Sequence, residues 1–348
     1  MKIDVRAESL IEHVALWLGL APTPLVETHI AATLARSVVA GVKLGIFDCL
    51  QNGPLTHIEI AARCGVDQAA AGLLLEALAA CGYLSLARGC YELKAKSRKW
   101  LLRDSPNSIR DKVLLQAIEW DWLAKLEDFV RTGRPIDFHT EMSAEGRDLY
   151  HRSMRALAGI AGREVAWRTP VPSGASLMLD LGGSHGHYAA EICRRHPGLH
   201  AQVLDLPSAI DMAAPLLAAE AMGDRVVHLS GDVLQADLGV EQYDLIFMAN
   251  LAHHLDREEN QALAIRARRA LRPKGFFVIQ EPVRVQRPER GGQTAALLGL
   301  YFALQSRPNV NTWSIAEMAD WQGKADLQPR RAIPLHTAPG WILQAAQL

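Results

Sequence analysis

Length and composition predict a two-domain protein with a sizeable core. The chain has 348 residues, of which 49% are hydrophobic, and one domain usually takes roughly 100–200 residues. The formal net charge of −1 excludes a general electrostatic attraction to nucleic acid or to an anionic membrane. Five cysteines without C-x-x-C spacing disfavour a zinc ribbon and a disulfide framework, and they favour a cytoplasmic location. No apolar run approaches the ~18 residues of a membrane span, and the N-terminus lacks a signal-peptide pattern.

The N-terminal part is predicted to be helical and then to form a winged helix-turn-helix. Apolar residues at helical spacing predict helices over Ser9–Leu20 and from about Thr28 to Leu50. Thr56 and Asp67 can each cap a further helix, and two short strands flank the turn at 88–89. This order of elements is typical of a winged helix.

The charge of the second helix of this module decides between DNA and protein as its partner. Residues 68–80 contain no Lys or Arg, whereas a recognition helix needs cations for phosphates. Their alanines and leucines suit helix packing instead. The sequence therefore disfavours a winged-helix regulator and predicts a protein partner, most simply a second copy of the chain, with no nucleic-acid or membrane partner.

A helical region rich in aromatic residues extends from about 106 to 168. Tyr150 and Met154 lie on one face of a helix in this region, but on spacing alone ordinary packing explains them better than a ligand contact does. The Pro- and Gly-containing stretch 170–174 is a plausible linker to the next domain.

A glycine-rich loop follows the apolar strand around Leu177 to Leu181. Gly182, Gly183 and Gly186 allow the backbone to turn sharply and to come close to a ligand just before a helix begins, where free N–H groups favour negative charge. A nicotinamide dinucleotide is disfavoured, because the G-x-G-x-x-G frame counted from Gly182 would require glycine at Ser184 and again at His187.

The rest of the chain alternates helices with short strands, which predicts a doubly wound α/β sheet. Arg272–Gly275 is predicted as a turn before the fifth strand, and a final antiparallel hairpin surrounds 339–340. The predicted strands after the loop are 201–204, 226–229, 243–248, 276–280, 331–335 and 341–345, and the predicted helices are 188–196, 209–221 and 257–271.

Polar residues come directly after these strands, where ligands bind in such sheets. Each one alone is more often a capped turn than a ligand contact, but their joint placement predicts a site. They comprise Asp205 with Leu206, Asp232 with Val233, Asn250, the pair His253-His254, and Glu281. Asp205 lies ~20 residues beyond the glycine loop, at the position that binds ribose hydroxyls in such folds.

From about residue 29 to the C-terminus the chain resembles the plant-type O-methyltransferase family and its bacterial small-molecule relatives, which are class I S-adenosylmethionine-dependent methyltransferases. The loop pattern D-x-G-G-x-x-G resembles the first motif of that class. The resemblance implies a winged-helix dimerisation domain at 1–105, a helical linker at 106–168 that contributes to the active site, and a Rossmann-like methyltransferase domain at 169–348. It also implies a homodimer, S-adenosylmethionine as cofactor and a small-molecule acceptor.

The resemblance implies roles for individual residues. Tyr150 and Met154 match a helix motif over the cofactor, His253 occupies the place of the catalytic histidine, and Glu281 that of the acid orienting it. The predicted cofactor-binding set is Tyr150, Met154, Asp180, Gly182, Gly183, Gly186, Asp205, Leu206, Asp232, Val233 and Asn250. No resident metal is expected.

A physical argument supports His253 independently. A phenol with a pKa of ~10 is a poor nucleophile at neutral pH, and an imidazole with a pKa of ~6.5 can accept its proton as it attacks the sulfonium methyl. The alternatives are that the His-His pair is structural, that carbon or nitrogen is methylated, or that the cofactor serves non-methylating chemistry.

Three positions depart from the family pattern. Ser184 and His185 replace a glycine and a small residue, Ala249 stands where plant members carry a cation, and 309–317 offers no second carboxylate beside the histidine. In that last stretch Ser314 and Glu317 look like a capping box. The apolar stretch Thr294–Leu304 predicts a helix over the active site and an aromatic, polyketide-like or isoprenoid acceptor, although core packing explains it equally well.

Overall fold

A computed structural model describes residues 4–138, 142–287, 292–308 and 310–348. The chain forms two compact units that meet in sequence between Ile118 and Glu119. The helices that begin before this boundary are Leu10–Trp17, Thr23–Leu25, Ala31–Lys43, Ile46–Cys49, His57–Cys64, Gln68–Ala80, Ala95–Trp100 and Arg110–Leu123, with a π-helical turn at Val26–Ile30. The last of them crosses it.

The first unit contains the predicted winged-helix elements. The Thr56 side chain accepts a hydrogen bond from the Glu59 N–H in a capping box, and the Asp67 carboxylate accepts one from the Ala70 N–H. Strands β1 (Leu55–Thr56), β2 (Leu84–Ala87) and β3 (Cys90–Leu93) form a small antiparallel sheet in the order β1-β3-β2. Local capping signals are therefore sufficient to find this module.

The predicted helix from Thr28 to Leu50 is interrupted. Gly45 adopts a left-handed conformation with φ 74° between the helices Ala31–Lys43 and Ile46–Cys49. Glycine tolerates this conformation, so the chain turns there although the apolar spacing continues.

The expectation that no apolar stretch approaches the length of a membrane span also needs correction. Thr23–Lys43 is one continuous helical segment of 21 residues with mean hydropathy 1.2, and it is long and apolar enough to cross a membrane. Only 17% of its most apolar window is buried. Val38, Val39 and Val42 near its C-terminal end nevertheless pack into the core of the first unit.

The second unit is built on an eight-stranded sheet in the order β10-β11-β8-β7-β4-β5-β6, with β9 paired to β11. Strands β4 to β8 are parallel, and β9, β10 and β11 are antiparallel to their neighbours. The strands are β4 (Leu177–Leu181), β5 (His200–Asp205), β6 (Val226–Ser230), β7 (Tyr243–Ala249), β8 (Leu271–Pro282), β9 (Gln328–Pro329), β10 (Ile333–Pro334) and β11 (Trp341–Gln347).

Helices cover the sheet, as the prediction of a doubly wound fold requires. They are Ala144–Arg168, His187–Arg195, Pro207–Ala219, Arg257–Ala270 and Ile315–Lys324. The unit also contains the helices Leu126–Thr132 and Gln293–Leu304 and 3₁₀ turns at Gly223–Arg225 and Ala252–His254. Strand order reverses at β4, because β5 and β6 lie on one side of it and β7 and β8 on the other. Ligands bind at such switch points, beyond the carboxyl ends of the strands.

Two details of this sheet differ from the prediction. Arg272–Gly275, predicted as a turn, lies within β8, where the β7–β8 register shifts and Lys274 has φ 69°. Strand β9 is absent from the prediction, because its two residues are too short for a pattern.

Candidate active site

The glycine loop places the backbone tightly around the end of β4. Gly182 and Gly186 have φ 66° and 65°, and the helix His187–Arg195 begins directly after Gly186. A Cβ at Gly183 would lie 2.4 Å from the Asp180 Oδ2 and 2.8 Å from the Val203 side chain. Only glycine fits there without a shift of its neighbours.

Asp180 is a fully buried carboxyl group beneath this loop. Neither of its side-chain oxygens has a hydrogen-bond partner within the described parts of the chain. Burial, with a smaller contribution from the charge of Asp205, raises the pKa of Asp180 to about 8. A buried polar group without a partner costs free energy, so this position suits a ligand that brings a donor.

Asp205 faces the loop from the end of β5. Its Oδ2 accepts a hydrogen bond of 2.8 Å from the Ser184 N–H, and its Oδ1 accepts one of 2.8 Å from the Leu206 N–H. Burial raises the pKa of Asp205. Because each carboxylate oxygen has two lone pairs, the group can accept further hydrogen bonds from hydroxyl donors.

The candidate cofactor-binding residues after β6 and β7 make contacts within the protein. Asp232 accepts a hydrogen bond from the Leu234 N–H at 2.9 Å, and Val233 is buried in the core. Asn250 adopts a left-handed backbone with φ 52°, and its Oδ1 accepts a hydrogen bond of 2.8 Å from Trp341 Nε1. Val233 and Asn250 thus have packing or bonding roles within the protein as well.

Tyr150 and Met154 lie one turn apart on the helix Ala144–Arg168, and both are half-buried. The Tyr150 ring is 5.4 Å from that of Phe138. Burial raises the pKa of Tyr150, and the negative charges of Glu119 and Asp205 add to this.

His253 and Glu281 form a buried pair at the ends of β7 and β8. His253 Nδ1 lies 2.7 Å from Glu281 Oε2, and the two residues are 4% and 1% exposed. Glu281 Oε1 accepts a hydrogen bond of 2.6 Å from the Ala252 N–H. Since a carboxylate only accepts, Nδ1 carries the proton and Nε2 is left as the basic nitrogen.

The short turn that carries His253 is held from several sides. The Ala252 carbonyl accepts hydrogen bonds from Trp313 Nε1 at 2.7 Å and from Asn260 Nδ2 at 3.0 Å. The Ser306 hydroxyl donates to the His253 carbonyl at 3.2 Å. These hydrogen bonds fix the position of the turn that carries His253.

Aromatic side chains from the helix Gln293–Leu304 approach this pair. The Phe302 ring lies 4.6 Å from the His253 ring and 5.8 Å from the Tyr301 ring. Burial raises the pKa of Tyr301. The buried Glu119 raises it further, because its carboxylate is negatively charged and accepts a hydrogen bond from the Tyr301 hydroxyl. Glu119 is not predicted from the sequence, where it is one acid in a helix with no loop or motif to mark it.

The third departure from the family pattern is explained locally. The Ser314 side chain accepts from the Glu317 N–H, and the Glu317 carboxylate accepts from the Ser314 N–H, so the capping box is present. Glu317 also pairs with Arg257 and Arg284. The negative charge of Glu317 is therefore paired with these two arginines.

His187, Glu191 and Glu220 are grouped closely enough to hold a metal ion, since their ligand atoms all lie within 4.8 Å of one another. Two guanidinium groups, however, contact the carboxylate oxygens of Glu220. Arg155 Nε lies 2.6 Å from Oε1, and Arg194 donates to Oε2 at 2.8 Å. His187 Nδ1 shares Oε1 at 2.9 Å. We therefore interpret the group as an ion-pair network that joins three helices.

Glu220→Gln should lower the free energy of unfolding at pH 7 by about 3 kcal/mol, because a buried charge network loses its anion. The arginines and His187 lower the pKa of Glu220 from 4.5 to about 2 against the effect of burial. A depressed carboxyl pKa stabilises the fold above pH ~4.5, and this contribution is lost as pH falls towards 2. Denaturant unfolding of wild type and variant from pH 3 to 7 measures both effects.

The matched control is Glu191→Gln, because Glu191 is less buried and pairs with Arg194 alone among the described contacts. It should cost less than about 1 kcal/mol. Equal losses for the two variants would contradict the central place of Glu220.

Comparisons with known proteins agree with this geometry. The profile of the O-methyltransferase domain family matches residues 113–322. Among curated proteins, the chain is 27% identical over 324 residues to a 3-hydroxy-5-methyl-1-naphthoate 3-O-methyltransferase of Streptomyces sahachiroi, which covers 90% of this chain and 91% of the relative. It is 25% identical over 323 residues to the mitomycin biosynthesis 6-O-methyltransferase of Streptomyces lavendulae, covering 89% and 90%. An L-tyrosine C(3)-methyltransferase of the same organism is 26% identical over 317 residues, covering 87% and 85%.

Solved structures share the fold over nearly the whole chain. An O-methyltransferase structure from Nostoc punctiforme superposes with a TM-score of 0.82 at 19% identity, covering 94% of this chain and 99% of the other. Human N-acetylserotonin methyltransferase, solved in complex with S-adenosylmethionine, superposes with a TM-score of 0.81 at 21% identity, covering 94% and 98%. Both predictions, of a Rossmann-like domain and of a helical N-terminal part, are confirmed.

The loop and the two carboxyl groups fit the cofactor of this family. The unpartnered oxygens of Asp180 and the remaining lone pairs of Asp205 suit a ligand rich in N–H and O–H donors, as S-adenosylmethionine is. The glycine at 183 leaves the backbone bare where a Cβ would clash. Together with the family match over 113–322, these features show that the chain is an S-adenosylmethionine-dependent methyltransferase and belongs to the O-methyltransferase family.

Proposed function

We propose that this enzyme transfers the methyl group to a hydroxyl of an apolar aromatic or polyketide-like molecule, with His253 as general base. The observation that carries the proposal is the buried contact of 2.7 Å between His253 Nδ1 and Glu281 Oε2. It fixes the tautomer and leaves Nε2 to take a proton.

When bound, the cofactor supplies an electrophilic sulfonium methyl group. His253 accepts the acceptor's hydroxyl proton at Nε2 as the oxygen attacks, and becomes a cation. Glu281 stabilises that cation through Nδ1, while the Ala252 N–H holds the carboxylate in place. General-base catalysis of this kind contributes about 10²–10⁴-fold, and holding the two reactants in line adds to it.

The surroundings of His253 support an aromatic acceptor. Phe302 presents its ring 4.6 Å from the imidazole. Leu297 and Leu300 on the same helix are 52% and 40% exposed, so core packing does not account for them. The relatives named for naphthoate and mitomycin substrates support a fused or substituted ring system over an isoprenoid.

A panel of hydroxylated aromatic and polyketide compounds, incubated with S-adenosylmethionine, tests the acceptor class. We expect at least one phenol to gain the mass of one methyl group, and its O-methylated analogue to be inert. Methylation of isoprenoid alcohols only, or of the blocked analogue, would contradict an aromatic hydroxyl acceptor. Formation of S-adenosylhomocysteine provides an independent count of turnovers.

We also propose which residues hold the cofactor. Backbone groups at Gly182, Gly183 and Gly186 approach it, while Asp180, Asp205 and Asp232 accept its donors. Tyr150 and Met154 cover it from the helix Ala144–Arg168, and Leu206, Val233 and Asn250 line the ends of the strands. The three-part division at 1–105, 106–168 and 169–348 is part of this proposal, and the boundary between the compact units falls inside its middle segment.

We further propose a homodimer through the N-terminal unit. The helix Leu10–Trp17 has no buried residue, and Leu10, Ile11 and Trp17 are 81–82% exposed. Leu73 of the winged helix is 70% exposed. Apolar surface of this extent is a feature of protein interfaces. No cation lies in Gln68–Ala80 to bind nucleic acid. The buried valines Val38, Val39 and Val42 of the segment Thr23–Lys43 argue against a membrane span.

Sedimentation equilibrium tests the dimer. We expect wild type at micromolar concentration to sediment as a dimer, and Trp17→Glu to sediment as a monomer because a charge cannot be buried in that interface without a partner. Val130→Glu is the matched control, since Val130 is 70% exposed in the other unit. A monomeric wild type would refute the dimer.

A cytoplasmic location is proposed on the five free cysteines.

A further inference from the structure

Ser184 occupies an unusual place in the cofactor loop. Its backbone has φ 40°, in the left-handed region that favours glycine, although it carries a side chain. It lies between Gly183 and Gly186, in the segment that turns from β4 into the helix His187–Arg195. Something outside the loop must therefore hold this residue in its conformation.

Three hydrogen bonds hold it, and each comes from a different element. The Ser184 N–H donates to Asp205 Oδ2 at 2.8 Å from β5. The Ser184 carbonyl lies 2.7 Å from His228 Nε2 on β6. The Ser184 hydroxyl lies 2.8 Å from His151 Nδ1 on the helix Ala144–Arg168. Since a carbonyl only accepts, His228 donates through Nε2–H.

We propose that His151 and His228 are positioning residues for cofactor binding, which act by clamping Ser184 in its left-handed conformation. This conformation points the Ser184 N–H at Asp205 and so fixes the carboxylate that we propose to bind the cofactor. The inference rests on that proposed role of Asp205. It also explains how the family's glycine can be replaced here.

Packing alone does not explain His228. It is half-buried on β6, an edge strand of the sheet, and its Nε2 bonds to a backbone carbonyl of the loop. The imidazole is therefore not part of the apolar core. Positive charge on this imidazole also lowers the pKa of Asp205, which shows that His228 lies close to that carboxyl group.

His151 links the clamp to the rest of the site. It follows Tyr150 directly on the helix Ala144–Arg168, and the two rings lie 5.7 Å apart. A hydrogen bond to Ser184 therefore couples the helix that carries Tyr150 to the loop beneath it. Loss of either histidine should loosen the loop without removing any proposed cofactor contact.

The test is a double-mutant cycle on the dissociation constant of S-adenosylhomocysteine, measured by calorimetry. His228→Ala should weaken binding about tenfold, the effect of one well-placed hydrogen bond. Ser184→Gly should bind within about threefold of wild type, because glycine adopts this backbone without help. In the Ser184→Gly background, His228→Ala should cost less than about threefold. His151→Ala should follow the same pattern.

Controls separate this from a general structural effect. His200→Ala removes an exposed imidazole at the start of β5 and should leave the dissociation constant unchanged. His228→Gln keeps an N–H donor and should recover most of the affinity, and it remains informative should His228→Ala not fold. His200→Ala should also keep wild-type turnover, whereas His228→Ala and His151→Ala should raise the KM for S-adenosylmethionine by a larger factor than they lower kcat.

Equal losses from His228→Ala in the wild-type and Ser184→Gly backgrounds would overturn the clamp, because His228 would then act on the cofactor directly. Wild-type affinity in His228→Ala would overturn it as well. Neither outcome depends on the acceptor or on His253, since the probe is the demethylated cofactor alone. A wild type that binds this probe but methylates no phenol would count against the proposed function and leave the clamp testable.

Discussion

His253→Ala is expected to lower kcat by about 10²–10⁴-fold while the dissociation constant for S-adenosylhomocysteine stays within about twofold of wild type. The variant removes the imidazole that we propose takes the proton from the substrate's hydroxyl. It leaves the glycine loop intact. His253 is 4% exposed and bonded to Glu281, so its removal also leaves that carboxylate without the imidazole. Steady-state kinetics on a phenol from the panel, together with calorimetry, give the two quantities.

Two further variants make the result specific. Glu281→Gln should lower kcat about 10–100-fold, because it removes the charge that stabilises the imidazolium and weakens the hold on the tautomer. His254→Ala is the matched control, one residue along the same turn, and should retain activity within about fivefold. Undiminished turnover by His253→Ala on its true substrate would remove the proposed mechanism.

Gly183→Ala is expected to weaken cofactor binding by about 100-fold or more. Its Cβ would lie 2.4 Å from Asp180 Oδ2 and 2.8 Å from Val203 Cγ1, both buried and held by the sheet. Relief of this clash must displace the Asp180 or Val203 side chain or the loop backbone, and steric overlap in a packed site typically costs about 1–3 kcal/mol or more. The displaced N–H groups lose their approach to the ligand in addition.

The control for this variant is Gly198→Ala, because a Cβ at Gly198 meets nothing within 4 Å. Its dissociation constant for S-adenosylhomocysteine and its thermal unfolding midpoint should match those of wild type. Calorimetry on the two variants isolates the effect of the site from that of adding a methyl group to a glycine. Unchanged affinity in Gly183→Ala would contradict the role of the loop.

Local sequence signals are sufficient for most of the fold. Caps at Thr56 and Asp67 mark the winged helix, and alternation of strands with helices predicts the doubly wound sheet. Both depend on residues close together in the chain. The break at Gly45 escapes prediction because apolar spacing continues across it, and β9 escapes it because the strand is too short to show a pattern.

The site is predictable only where strand ends mark it. His253 and Glu281 each follow a strand, and neighbouring parallel strands bring their ends together, so their pairing can be expected. The contact between Glu119 and Tyr301 joins positions far apart in sequence on two helices, and no motif marks either residue. Tertiary packing alone creates it.

The cofactor loop also makes contacts that cannot be predicted from the sequence. Ser184 is recognisable in the sequence as a departure from the family's glycine. The two residues that compensate for this departure cannot be recognised in the sequence. His151 comes from a helix before the loop and His228 from a strand after it. A histidine on a half-exposed strand carries no signal of its target in the sequence.

Transfer of a labelled methyl group tests the central claim most directly. The enzyme is incubated with S-adenosylmethionine that carries a trideuterated methyl group and with a phenol that it accepts, and the product is analysed by NMR. We expect the label on oxygen, with loss of the hydroxyl proton and with product formed about 10²–10⁴-fold more slowly by His253→Ala. A label on a ring carbon or on nitrogen, or unlabelled product, would contradict base-assisted O-methylation by this site.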